Sequence, residues 1–85
     1  MHYSGILVIT DSGRMNDCAA QIDDLAGVEV RLRYPEDDRM ILVQESETTE
    51  QQEQGLRAIR EIPGVQLANP IYVMGREDGE DGVRS

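Results

Sequence analysis

His2 and Cys18 are the single imidazole and the single thiol of this sequence, so any chemistry needing a strong nucleophile, a base near neutral pH or a soft metal ligand must run through them. Neither is placed for it. His2 lies beside the N-terminus with nothing in the sequence to orient it, and Cys18 falls on the apolar stripe of a predicted helix, so neither a metal centre nor a Ser/His/Asp relay can be assembled. No glycine-rich loop is present to cradle a phosphate, and the acids Glu77, Asp78, Glu80 and Asp81 lack the spacing of an EF-hand. Arg14 follows the first predicted strand at a helix N-terminus, where an anion can be held. Without a glycine-rich loop beside it, Arg14 reads as a solvated first-turn arginine. The expectation is a protein with no catalytic residue, no metal and no cofactor.

Charge is the stronger signal. Eight arginines stand against seventeen acids, a formal net charge of −9 with a pI near 4.3, which repels phosphate backbones and anionic lipid. Nucleic acid and membrane are therefore poor partners, whereas a basic peptide or protein is drawn in; acidity also serves plain solubility. There is no Trp and no Phe, and Tyr3, Tyr34 and Tyr72 are the only aromatics, so the core must be aliphatic and no base-stacking surface is available. One cysteine cannot staple the chain, which fits a reducing compartment. The apolar run Ile6–Ile9 is too short for a signal peptide or a membrane span and has no basic residue before it, so the expected location is the cytoplasm.

At 85 residues the chain makes one small domain that buries about 60–65% of its unfolded surface. Tyr3–Thr10 is an apolar, β-branched run closed by Asp11-Ser12-Gly13, a strand and turn with Ser12 as the expected helix cap. A helix is then expected from near Gly13 or Arg14, with Met15, Cys18, Ala19, Ile22 and Leu25 on one stripe and Gly27 as its terminating glycine. The period switches to two at Val28, where Val28, Val30 and Leu32 alternate with Glu29, Arg31 and Arg33. After the turn Tyr34–Asp38, Arg39–Glu45 reads as a third strand. Thr48 and Gln51 are spaced as a capping box for a second helix marked by Leu56, Ile59 and Ile62, in which Gly55 is a modest local cost. Pro63-Gly64 stops that helix and Val65–Met74 is the last strand. Pro70 has no N–H to give a central ladder and so puts that strand at an edge.

The unit of helix, glycine and strand recurs at a register of 37 residues, Cys18–Val30 lying over Gly55–Leu67 with Ile22 on Ile59, Gly27 on Gly64 and Val28 on Val65. Two such units with right-handed crossovers predict an α+β, ferredoxin-like βαββαβ sandwich over residues 1–74. Its four-stranded antiparallel sheet has the order 4-1-3-2, and both helices cover one face. Residues 75–85 lack periodicity and are expected to form a disordered acidic tail.

Such a sheet leaves one face uncovered, and that face should be polar unless something binds it. The alternation in the second strand turns Glu29 outward. Gln44 is the polar residue of the third strand, which assigns its parity, Met40 and Leu42 included, to the open side and Ile41 and Val43 to the core. In the last strand Val65, Leu67, Ile71 and Val73 suit the core, leaving Gln66, Ala68, Pro70 and Tyr72 outward, and Gly5, Leu7 and Ile9 complete the face. The expected binding surface is therefore an apolar stripe of Gly5, Leu7, Ile9, Met40, Leu42, Ala68 and Tyr72, a patch that marks an interaction site or a dimer face.

Tyr3-Ser4-Gly5-Ile6-Leu7-Val8, the junctions Ala26-Gly27-Val28-Glu29-Val30 and Ile62-Pro63-Gly64-Val65, and the closing Ile71-Tyr72-Val73 together resemble the NapD family over residues 3–74. The resemblance implies a small cytoplasmic chaperone of the periplasmic nitrate reductase. Such a chaperone binds the twin-arginine signal peptide of the catalytic subunit and holds back export until the molybdenum cofactor is inserted. It implies the sheet face as the peptide surface; the acids available to the arginines are Glu29 on that face and Asp11 at a strand end, and the expected state is a monomer or weak dimer. The departures are the polar Asn69-Pro70 and the acidic tail. The competing reading from another class is a dimeric, ligand-sensing regulatory module of the ACT type.

Overall fold

The computed structural model describes residues 2–75, which form β1 (His2–Thr10), α1 (Met15–Asp23), β2 (Val28–Tyr34), a 3₁₀ turn (Pro35–Asp37), β3 (Arg39–Ser46), α2 (Thr49–Arg60) and β4 (Val65–Gly75). The strands make one antiparallel sheet in the order β2-β3-β1-β4, as the sequence predicts, and Pro70 does lie in an edge strand. α1 packs over β2, and α2 over β4 and β3. Ile6 and Val8 of β1, Met40 and Leu42 of β3, Val28 of β2 and Ala68 of β4 meet Met15, Cys18, Ala19, Ile22 and Ile59 of the helices in one aliphatic core. Of the segment expected as a tail, Gly75 closes β4 opposite His2, and the remainder lies outside the described residues.

The two helices start differently. The Thr48 hydroxyl accepts from the Gln51 N–H at 3.0 Å and the Gln51 Oε1 accepts from the Glu47 N–H at 2.9 Å, so the predicted capping box is made, reaching back one residue further than usual. Ser12 does not cap α1. Gly13 adopts φ +78°, a left-handed conformation that no right-handed helix contains, so the helix starts two residues later at Met15 with Arg14 at the cap position and no side-chain cap bond. Gly27 also has a left-handed φ of +78°, but in the turn into β2 rather than next to the Asp24 cap. Its carbonyl there accepts the Glu45 N–H at 2.7 Å.

Sequence-based assignments of side are overturned in three strands, β3, β4 and β2. Met40 and Leu42 are fully buried beneath the helices, and Gln44, 3% exposed, shares their side. The amide was the marker of the wet face, yet its Nε2 donates to the Gln52 carbonyl at 3.2 Å under α2. Gly55 makes this feasible: a Cβ there would overlap the Gln44 amide, so the glycine is the gap into which that side chain fits. Ala68 is likewise core, at 2% exposure. Register shifts in β4, between its pairings with Gly5 and Ile6 and with Ile9 and Thr10, leave Ile71 and Gln66 as bulge residues. Each bulge resets the alternation, so Val65 and Ala68 face the helices, Leu67 and Tyr72 do not, and Ile71 stands half-exposed. A third shift at Arg31 swings Leu32 out of the predicted core side and opposite Ile41, at 48% exposure.

Candidate functional site on the uncovered face of the sheet

The strand registers arrange the uncovered face in rows. Tyr34, Arg39, Ile9 and Leu67 form one end; Leu32, Ile41, Leu7 and Asn69 come next; then Glu29, Val43, Gly5 and Tyr72; and Tyr3 opposite Glu45 closes the other end. Of the expected peptide-binding residues, the fold brings Gly5, Leu7, Ile9 and Tyr72 together here, and Met40, Leu42 and Ala68 lie on the other side of the sheet in the core. Tyr72, 46% exposed, lies across Gly5, and a Cβ on Gly5 would overlap its ring. The glycine is thus the seat of an aromatic side chain that is itself half open to solvent.

Leu32, Ile41, Val43 and Leu67 belong to this face and were missed by sequence reasoning. The signal was in β3 itself. Arg39 and Glu45 share the parity of Ile41 and Val43, and charged groups mark the wet side more reliably than one amide, which a single well-placed carbonyl can satisfy. The bulges carry no such mark, since nothing in β2 or β4 announces the extra residue.

The two acids offered for arginine recognition are not brought together. Glu29 lies in the row that crosses β1 at Gly5, about 20 Å of strand rise from Asp11, whose Oδ1 accepts from the Gln66 Nε2 at 2.7 Å. Glu29 instead shares its end of the face with Glu45, and there Tyr3, Glu29, Arg31, Val43 and Glu45 line an open depression of about 310 Å³. Arg31 reaches Glu29 at 3.7 Å, with both side chains more than half exposed, so the pair is weak and solvated.

The one thiol of the sequence lies away from this face. Cys18 is fully buried in the core, its thiol 3.5 Å from the Pro63 carbonyl. Burial pushes its ionisation up; Arg14 opposes this, and Asp17 and Asp11 add to it. Such a thiol stays protonated and unreactive at neutral pH. Among the described residues no group of three or more His, Cys, Asp or Glu is placed to hold a metal ion, and no helix is long and apolar enough to cross a membrane. A depression of about 420 Å³ between the turn before β2 and α2 is lined by Leu25, Gln44, Glu45, Ser46, Gln51 and Gln54, with Glu45 as its one ionisable residue.

Comparison with known proteins places this architecture. The family described as NapD protein matches residues 1–74. The chaperone NapD of Escherichia coli K12 is 28% identical over 76 residues, covering 89% of this chain and 87% of that protein, and the chaperone NapD of Shigella flexneri matches equally. The solution structure of the E. coli Tat proofreading chaperone NapD superposes with a TM-score of 0.79 at 28% identity, over 98% of this chain and 87% of that one. The crystal structure of a hypothetical protein from Pyrococcus horikoshii gives a TM-score of 0.78 at 23% identity, over 94% and 96% of the two chains, and shares the fold. A ferredoxin-like sandwich with an apolar uncovered face, matched by the family description over nearly its whole length, belongs to the NapD family of chaperones.

Proposed function

We propose that this protein is a non-catalytic, cytoplasmic chaperone whose uncovered sheet face binds the twin-arginine signal peptide of a periplasmic nitrate reductase catalytic subunit, delaying export until the molybdenum cofactor is in place. The observation that carries this reading is the face itself, where Leu7, Ile9, Leu32, Ile41 and Val43 meet in adjoining rows on the side of the sheet away from α1 and α2. An apolar surface of this extent on a small acidic protein is matched by a ligand that is apolar in the middle and cationic at one end. A twin-arginine signal peptide has that composition, and the E. coli relative described as a Tat proofreading chaperone supports the same assignment. Binding is stoichiometric, apolar burial supplies the affinity, and charge supplies encounter rate and part of the specificity.

The test is calorimetric titration of the protein with a synthetic signal peptide of a nitrate reductase catalytic subunit, at low and high salt, beside a peptide with both arginines changed to Ala. One-to-one binding that weakens with salt and with the double substitution is expected. No heat at either salt, together with a concentration-independent dimer by sedimentation, would overturn the reading in favour of a face closed by a second copy.

A further inference from the structure

The uncovered face is not uniform along its length, and the difference has a direction. At its Tyr34 end the row Tyr34, Arg39, Ile9 and Leu67 carries Arg39, next to Glu36, Asp37 and Asp38 of the turn between β2 and β3. Its other end carries two carboxylates, Glu29 and Glu45, around a depression of about 310 Å³ walled by Tyr3 and Val43. An aromatic ring, an aliphatic wall and two carboxylates are what a guanidinium needs: planes to lie against and acceptors for its forked N–H groups. Arg31 belongs to the same lining, and its guanidinium already pairs with Glu29 at 3.7 Å. That contact is long and more than half exposed on both sides, hence easily exchanged for another arginine.

We infer that the cleft of Tyr3, Glu29 and Glu45 is a guanidinium site, and that by taking an arginine of the bound peptide it sets the peptide's direction, arginines at this end and apolar stretch over Leu7, Leu32 and Ile41. The inference rests on the peptide-binding reading above and extends it to a specificity site. Arg31 acts as an internal competitor that an incoming arginine displaces. Asp11, tied to Gln66 beyond the end of β1, takes no part.

The experiment titrates the full chain and three variants, Glu29→Gln/Glu45→Gln, Arg31→Ala and Asp11→Asn, with two synthetic peptides that differ only in having two arginines or two glutamines before the same apolar stretch. For the arginine peptide, the double Glu variant is expected to bind about three- to tenfold more weakly, Arg31→Ala about twofold or more tightly, and Asp11→Asn unchanged. The glutamine peptide should distinguish none of them. A nitroxide on the arginine end of the peptide should broaden the Val43 methyl signals of the wild-type complex more than those of Ile9. Equal losses for both peptides, unchanged affinity in the double Glu variant, or broadening centred on Ile9 would each overturn the guanidinium site while leaving peptide binding intact. Absence of binding by either peptide would overturn the chaperone reading, and this inference with it.

Discussion

Ile41 and Leu42 are neighbours of the same chemistry on opposite sides of the sheet, and their substitution separates stability from binding. Leu42 is fully buried. A carboxylate there would have to be desolvated without a partner, so Leu42→Glu is expected to cost about 4 kcal/mol or more and to leave little folded protein, as read by chemical denaturation. Ile41 is half-buried between Leu32 and Leu7 on the uncovered face. Ile41→Glu is expected to change stability by about 1 kcal/mol or less and to weaken signal-peptide binding by tenfold or more in calorimetry, with unaltered affinity contradicting the placement of the peptide. Cys18 supplies a pH dependence of known sign. Its folded ionisation lies above the ordinary value of 9.0, so the neutral thiol is the form that the core retains. The contribution to stability is therefore whole below pH 9 and is lost as the pH rises past 9 towards the raised folded value. Denaturation midpoints of wild type and Cys18→Ala should thus draw together as the pH is raised past 9. Parallel curves would mean that the thiol is not held protonated by the fold.

Among the elements, α2 and β3 are joined through a void at Gly55 that the Gln44 side chain fills. In an isolated helix Gly→Ala gains about 1 kcal/mol, but here the added methyl meets a buried amide already bonded to the Gln52 carbonyl. Gly55→Ala is expected to destabilise by about 1–2 kcal/mol in the wild type and to stabilise by up to about 1 kcal/mol in a Gln44→Ala background. The sign reversal in that thermodynamic cycle, measured by urea unfolding, is the signature of the contact, and additivity would refute it. The same pair shows where the sequence was legible and where it was not. Element order, edge placement of β4 and the capping of α2 follow from periodicity, Pro70 and the Thr48–Gln51 spacing, all of them local or topological. The side to which β3 presents Met40, Leu42 and Gln44 depends on a gap in a helix at Gly55, eleven residues after Gln44, and the sides of Leu32, Leu67 and Ala68 depend on bulges, whose extra residue has no composition of its own. Gly5, Leu7, Ile9 and Tyr72 were placed rightly, Tyr72 because the Ile71 bulge restored the alternation that the one at Gln66 had shifted.

At the scale of the molecule, a chain with a formal charge of −9 and arginine as its only strong cation presents an attractive long-range field to a cationic peptide. That field acts on encounter, before the apolar rows touch, and it is screened once separation exceeds the Debye length of about 8–10 Å at physiological salt. The apolar rows act after contact and are indifferent to salt at these concentrations. Affinity is therefore expected to divide between two rate constants in a measurable way. Raising ionic strength from about 0.02 M to 0.5 M should slow association of the twin-arginine peptide by roughly tenfold and change dissociation by less than about threefold, as followed by stopped-flow fluorescence of a labelled peptide. Ile41→Glu adds negative charge and removes apolar contact, so it should leave association as fast as in wild type, or faster, and raise dissociation. Should salt act mainly on dissociation instead, the short-range contacts of the Glu29 and Glu45 carboxylates would carry the whole salt dependence, and the global charge would serve solubility alone.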